Sequence, residues 1–157
     1  MVLYFYLMKV RDVMRIDVVT IPHNHTYEDA AKLLRENNLF GAPIVDDKGT
    51  LLSMITEKDL LRVLYPFAKS YYEQPEKYTN LEKREHKILE IKGDVITKFA
   101  PSKHICAKED DPILRIGGKM LARGIHAMPV TNTEGVLLGI IFRNDIYRRI
   151  TDEYLGF

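Results

Sequence analysis

The sequence predicts an α+β protein made of two β-α-β-β-α repeats joined by a helical connector. The main observation is a pattern written twice, "GAPIVDDKGTLLSMITEKD" at residues 41–59 and "HAMPVTNTEGVLLGIIFRND" at residues 126–145. Pro43 aligns with Pro129, Gly49 with Gly135, Leu52 with Leu138, Ile55 with Ile141 and Asp59 with Asp145, with no gap. The second observation is helical spacing of apolar residues just upstream of each copy. The third is a charged stretch between them, and internal self-similarity of this kind marks repeat architecture.

In the first copy, "VVTI" reads as a short strand, and Thr26 is placed to cap the helix "YEDAAKLLRENN". Tyr27, Ala30, Ala31 and Leu34 recur at helical spacing, and acids fill the first turn, where they complement the dipole. "APIVDDKGTLLSMI" is two apolar runs around Asp-Asp-Lys-Gly, a hairpin signal in which Gly49 supplies a positive φ. The helix "EKDLLRVL" follows at once. The second copy repeats the order: a strand near "HICA", a helix opened by Asp111 and Pro112 and closed near Gly124, the hairpin "MPVTNTEGVLLGII" and the helix "DIYRRI". Gly117-Gly118, aligned with Ala31-Lys32, costs roughly 1 kcal/mol per glycine relative to alanine, and close helix packing, within the pair or across a dimer, is the preferred reason. The boundaries follow as an N-terminal extension 1–8, a first copy 9–64, a connector 65–92 and a second copy 93–152. The connector reads as solvated helix with Pro75 as a break or helix start; Tyr71, Tyr72 and Tyr78 would be its docking surface if it had one.

With 157 residues and 46% apolar side chains the chain can bury a real core, as one domain or as two small units sharing one. A net charge of +1 leaves no field that would draw it to nucleic acid or acidic lipid, and no recognition helix or basic stripe is evident. The lone cysteine, Cys106, excludes an intrachain disulfide, reads as a packed strand residue and suits the cytoplasm. "MVLYFYLMKVRD" is apolar over too short a run for a membrane anchor; it reads either as an extra strand or as an over-extended start ahead of Met8. No phosphate loop, nucleophile elbow or Cys-His pairing stands out, so an enzyme is not expected. His23 and His25 lack a third metal ligand nearby, and His86 reads as surface.

The ordered series "VRDVM", "VVTI", "AAKLLRENN", "GAPIVDDKGTLLSMITEKDLL" and "MPVTNTEGVLLGIIFRNDI" resembles a tandem pair of cystathionine-β-synthase (CBS) domains, a Bateman module, from about Lys9 to Ile150. The resemblance implies two small sheets, each with two helices on one face, packed sheet to sheet about a pseudo-twofold axis. It also implies a cleft taking an adenosine-containing ligand such as AMP, ADP, ATP or S-adenosylmethionine, no required cofactor, a homodimer, and an unidentified regulated protein. By the family pattern Asp59 accepts the ribose hydroxyls and Thr56 donates to phosphate, while Thr20 and the backbone at Ala42-Pro43 line the base. The counterparts are Asp145, with His126, Met128 and Pro129 at the second cleft.

Thr56 and Asp59 also have the spacing of a capping box. At the second copy Phe142 replaces the hydroxyl, so Asp145 has no reciprocal capping partner there. Either Arg143 supplies a charge-assisted bond in its place, or Phe142 stacks on or occludes the base. The two sites are expected to be unequal. The expected function is a non-enzymatic sensor; the alternative is an interaction module that has kept the fold and lost the ligand.

Overall fold

The computed structural model describes residues 7–65, 72–77 and 79–157, so the first six residues of the N-terminal extension read as a strand, and Tyr71 and Tyr78 of the docking surface, lie outside the described residues. The chain divides into two compact units. One holds Thr20–Asp47 and Leu52–Lys103; the other holds the segment ending at Val19, Lys48–Leu51 and His104–Phe157. Packing therefore groups the segment ahead of each copy with the other copy's core: Val10 is buried among Ala107, Ile113 and Ile116, whereas Ile91 and Ile96 are buried among Ile21, Leu34 and Ile55.

In the first-copy unit the order is β1 (Ile21–Pro22), α1 (Tyr27–Glu36), β2 (Gly41–Val45), β3 (Leu51–Thr56) and α2 (Glu57–Arg62), with a sheet order β1-β2-β3. The connector contributes α3 (Leu81–Glu85) and α4 (Lys87–Ile91), and Pro75 opens a short 3-10 turn. Of these, α3 buries nothing and α4 buries only Ile91, in its last turn. Strand β1 is shorter than "VVTI" suggested and starts one residue after Thr20; it runs parallel to β2 with Ile21 opposite Ile44. Thr26 caps α1 as expected, its hydroxyl accepting from the Asp29 N–H while the Asp29 carboxylate accepts from the Thr26 N–H, 2.9 Å. The core consists of Ile21, Ala30, Leu34, Ile44, Ile55 and their neighbours, with Tyr27 edge-on to Phe99 at 5.3 Å between ring centroids.

The second-copy unit contains α5 (Ile113–Arg123), β4 (Ala127–Thr131), β5 (Leu137–Phe142) and α6 (Arg143–Leu155), the last extending beyond "DIYRRI" at both ends. β4 and β5 pair antiparallel from Ala127 opposite Phe142 to Thr131 opposite Leu137. The strand expected near "HICA" is reduced to one parallel bridge, Ala107 with Val130, because only Ala107 exchanges backbone bonds with β4. Pro112 sits one position outside α5, and the Ile113 N–H is satisfied by the Met8 carbonyl rather than by a side-chain cap. Gly124 closes that helix at φ 62°, a left-handed conformation that a Cβ disfavours. Both hairpin turns use a glycine at positive φ, Gly49 at 78° and Gly135 at 84°.

The Gly117-Gly118 pair needs a different account from close packing inside the unit. A Cβ on Gly117 would make ordinary contact with Ile146 at 3.7 Å, and one on Gly118 would meet nothing within 4 Å.

Candidate functional site

Thr56 ends β3 and Asp59 lies three residues on, in α2. A full capping box joins them: the Asp59 Oδ2 accepts from the Thr56 N–H at 2.9 Å and from its hydroxyl at 2.7 Å, and the Thr56 Oγ1 accepts from the Asp59 N–H at 3.3 Å. The capping reading is thus realised in the first copy. It engages one carboxylate oxygen only; Asp59 Oδ1 has no partner among the described residues, and the residue is half-buried. The Glu57 N–H donates to the Phe40 carbonyl at 2.8 Å, so two of the first three N–H groups of this six-residue helix are already bonded. Polar chemistry at this helix mouth therefore belongs to the Asp59 carboxylate and the Thr56 hydroxyl more than to a helix dipole.

Other expected residues fall around them. Extending the β1–β2 register by one residue sets Thr20 level with Pro43, so their side chains share a sheet face. Ala42 and Ile44 point the other way, into the core, where Ala42 is 1% exposed. Only the Ala42 main chain is left to address a ligand. A residue the sequence reading missed, Gly41, places Thr56: a Cβ there would lie 2.7 Å from the Ile55 carbonyl oxygen and 2.9 Å from the Thr56 methyl.

The second copy matches the first in its strand but differs at its acid. Met128, like Ala42, is buried in the core, here with Val130 and Ile141, and Pro129, like Pro43, is buried on the opposite strand face. Arg143 makes no bond to Asp145 among the described residues. Its guanidinium contacts His126 Nδ1 at 2.8 Å, and its N–H donates to the His126 carbonyl at 2.9 Å. Asp145 is instead held by Arg15, whose Nε and terminal nitrogen donate to the two carboxylate oxygens at 2.8 and 2.9 Å. The same guanidinium lies over the Phe142 ring, 4.6 Å from its centroid. The hydrogen bond it donates to Asp145 holds the Arg15 guanidinium above its ordinary pKa.

Sequence reasoning did not find Arg15, because nothing local in "VMRID" ties it to an acid 130 residues later. One signal was available. Gly139 stands where the first copy has Ser53, and a Cβ on Gly139 would lie 2.6 Å from the Arg15 carbonyl oxygen. That close approach lets Arg15 exchange two backbone bonds with Ile140, at 2.8 and 2.9 Å. His23 and His25, considered above as a metal pair, carry buried Nδ1 atoms without a hydrogen-bond partner among the described residues.

A duplicated β-α-β-β-α unit ending each time in an acid near the start of a helix has a counterpart among known families. The family model of the CBS domain matches residues 10–66 and 93–152, and the chain belongs to that family. Among its relatives in Methanocaldococcus jannaschii, MJ1426 is 30% identical over 153 residues, covering 89% of each protein. MJ1225 is 28% identical over 145 residues, 92% of this chain but 44% of MJ1225. The chain spans about a quarter of some larger relatives, among them the L-aspartate semialdehyde sulfurtransferase of Methanosarcina acetivorans, at 24% of its length. Two solved structures share the fold. One is the CBS domain pair of MJ0100 in complex with 5′-methylthioadenosine and S-adenosyl-L-methionine, with TM-score 0.69, 24% identity and coverage of 94% of this chain and 99% of that one. The other is CBSX2 in complex with AMP, with TM-score 0.71, 20% identity and coverage of 92% and 97%.

Proposed function

We propose that the chain is a non-enzymatic regulatory sensor of an adenosine-containing ligand, AMP, ADP, ATP or S-adenosylmethionine, gripped through the ribose by Asp59. The observation that carries this reading is the state of Asp59: one oxygen is fixed by Thr56, which orients the carboxylate, and the other has no partner among the described residues. A carboxylate so oriented accepts from a vicinal diol with little reorganisation. Thr56 would turn its hydroxyl from Asp59 to a phosphate oxygen, and Thr20, Pro43 and the Ala42 main chain would border the base. Support for an adenosine ligand comes from the two structures of the same fold, which hold AMP in one case and methylthioadenosine with S-adenosylmethionine in the other.

Ligand binding changes a partner only if it favours one arrangement of the protein over another, so a regulated protein is part of the proposal. A homodimer is also part of it. Positions that are charged on the exposed face of α1, Glu28, Lys32, Arg35 and Glu36, become Leu114, Gly118, Leu121 and Ala122 on α5, with Leu114 and Leu121 66% and 68% exposed. Tyr147 and Tyr154 are exposed one helical repeat apart on α6. A lone cysteine and balanced charge suit a cytoplasmic setting. Among the described residues no helix is long and apolar enough to cross a membrane.

Thermal denaturation with AMP, ADP, ATP, NAD and S-adenosylmethionine tests the reading. One or more adenosine compounds should raise the melting temperature of the wild type, and Asp59→Ala should abolish the rise. No response to any of them, or an undiminished response in the variant, defeats it. The alternative, an adaptor that has kept the fold without the ligand, is favoured by the occupied state of Asp145; its partner affinity in a pull-down would be the same with and without nucleotide.

A further inference from the structure

We propose that Arg15 is a resident counter-ion that closes the second acid, Asp145, to a ribose diol, and so sets the number of adenosine ligands the chain takes at one. This rests on reading Asp59 and Asp145 as diol-binding acids. A guanidinium edge presents two parallel N–H donors to two carboxylate oxygens, the same number and polarity of contacts that a vicinal diol offers. Arg15 makes both, at 2.8 and 2.9 Å, so neither Asp145 oxygen faces a ligand while the fork is closed.

The contact is built rather than incidental. Arg15 is held at its backbone by the paired bonds to Ile140, and that approach requires the missing side chain of Gly139. Its guanidinium rests on Phe142. The Asp145 side chain is only 17% exposed, so the acid it neutralises is largely withdrawn from water, where an unpaired charge is costly. The first copy lacks each part. Ser53 replaces Gly139 and donates to the Pro101 carbonyl at 2.9 Å, and Thr56 replaces Phe142 and spends its hydroxyl on Asp59. The loss of the second hydroxyl thus gains a physical reason: an aromatic ring at position 142 gives the arginine a surface to lie on.

With its side chain 57% exposed, Arg15 has room to swing into solvent, so a ligand competes with the latch and its apparent affinity falls by the fraction of time the latch is open. Isothermal titration with AMP and, separately, S-adenosylmethionine reads the stoichiometry per chain. The wild type should bind one equivalent, Arg15→Gln two, Asp59→Ala none, and Arg15→Gln combined with Asp59→Ala one. Arg15→Lys, which keeps the charge but not the parallel fork, should admit a second equivalent more weakly than Arg15→Gln. The added site should reject 2′-deoxy-AMP. Circular dichroism melts of each variant verify that it is folded. Two equivalents on the wild type, or one on Arg15→Gln, overturns the latch and leaves the adenosine reading standing. Binding to none of the forms overturns both.

Discussion

Gly41 shows how much a single absent side chain can decide. A methyl group there would sit 2.7 Å from the Ile55 carbonyl and press on Thr56, both in the neighbouring strand, and backbone cannot yield as a flexible side chain can. Gly41→Ala is therefore expected to destabilise the protein by about 1–3 kcal/mol, the range for overpacking, measured as a lower urea midpoint with unchanged slope. Gly117 predicts the opposite sign. Its Cβ position is roomy, 3.7 Å from Ile146, so Gly117→Ala should stabilise the helix by up to about 1 kcal/mol in the same measurement. Two glycines that look alike in the sequence differ because one faces a backbone carbonyl at a clashing distance and the other faces the Ile146 side chain at ordinary contact distance.

At the level of elements, the two helices that follow the first-copy strands are started by the same device, Thr26 with Asp29 and Thr56 with Asp59. Thr26→Ala removes the hydroxyl that accepts from the Asp29 N–H and is expected to cost about 1 kcal/mol by urea unfolding. The cap also has a pH signature. The Thr26 N–H bond, and next its hydroxyl, hold the Asp29 carboxyl below the ordinary carboxylate range. A folded-state pKa below the unfolded one means the contribution is present above the ordinary carboxylate range and is lost as pH falls through the depressed folded value. Asp29→Asn should accordingly flatten the acid limb of stability against pH, and a limb identical to wild type would remove Asp29 from the account. The copy-two helix α6 has no such cap; its acid is neutralised by Arg15 instead.

For the whole molecule, the asymmetry between α1 and α5 predicts association. The apolar positions Leu114 and Leu121 lie one helical repeat apart with Gly118 between them, and a facing helix could approach closely at that glycine. Leu114→Glu with Leu121→Glu should convert a dimer to a monomer by sedimentation velocity, with the fold unchanged by circular dichroism. A wild type that is monomeric at all concentrations would show that this face has no second copy on it.

Most of the fold was legible in the chain, because duplicated turns, caps and apolar periods are local and each is readable within about twenty residues. The positive φ of Gly49 and Gly135, the Thr26 cap and the Thr56–Asp59 box all follow from such windows. What the tertiary structure alone decided is which segment packs with which copy, and hence that Arg15 meets Asp145 while Arg143 turns to His126. The Arg15–Asp145 contact joins residues 130 apart in sequence, and it depends on a backbone approach, at Gly139, that only the packed chain creates.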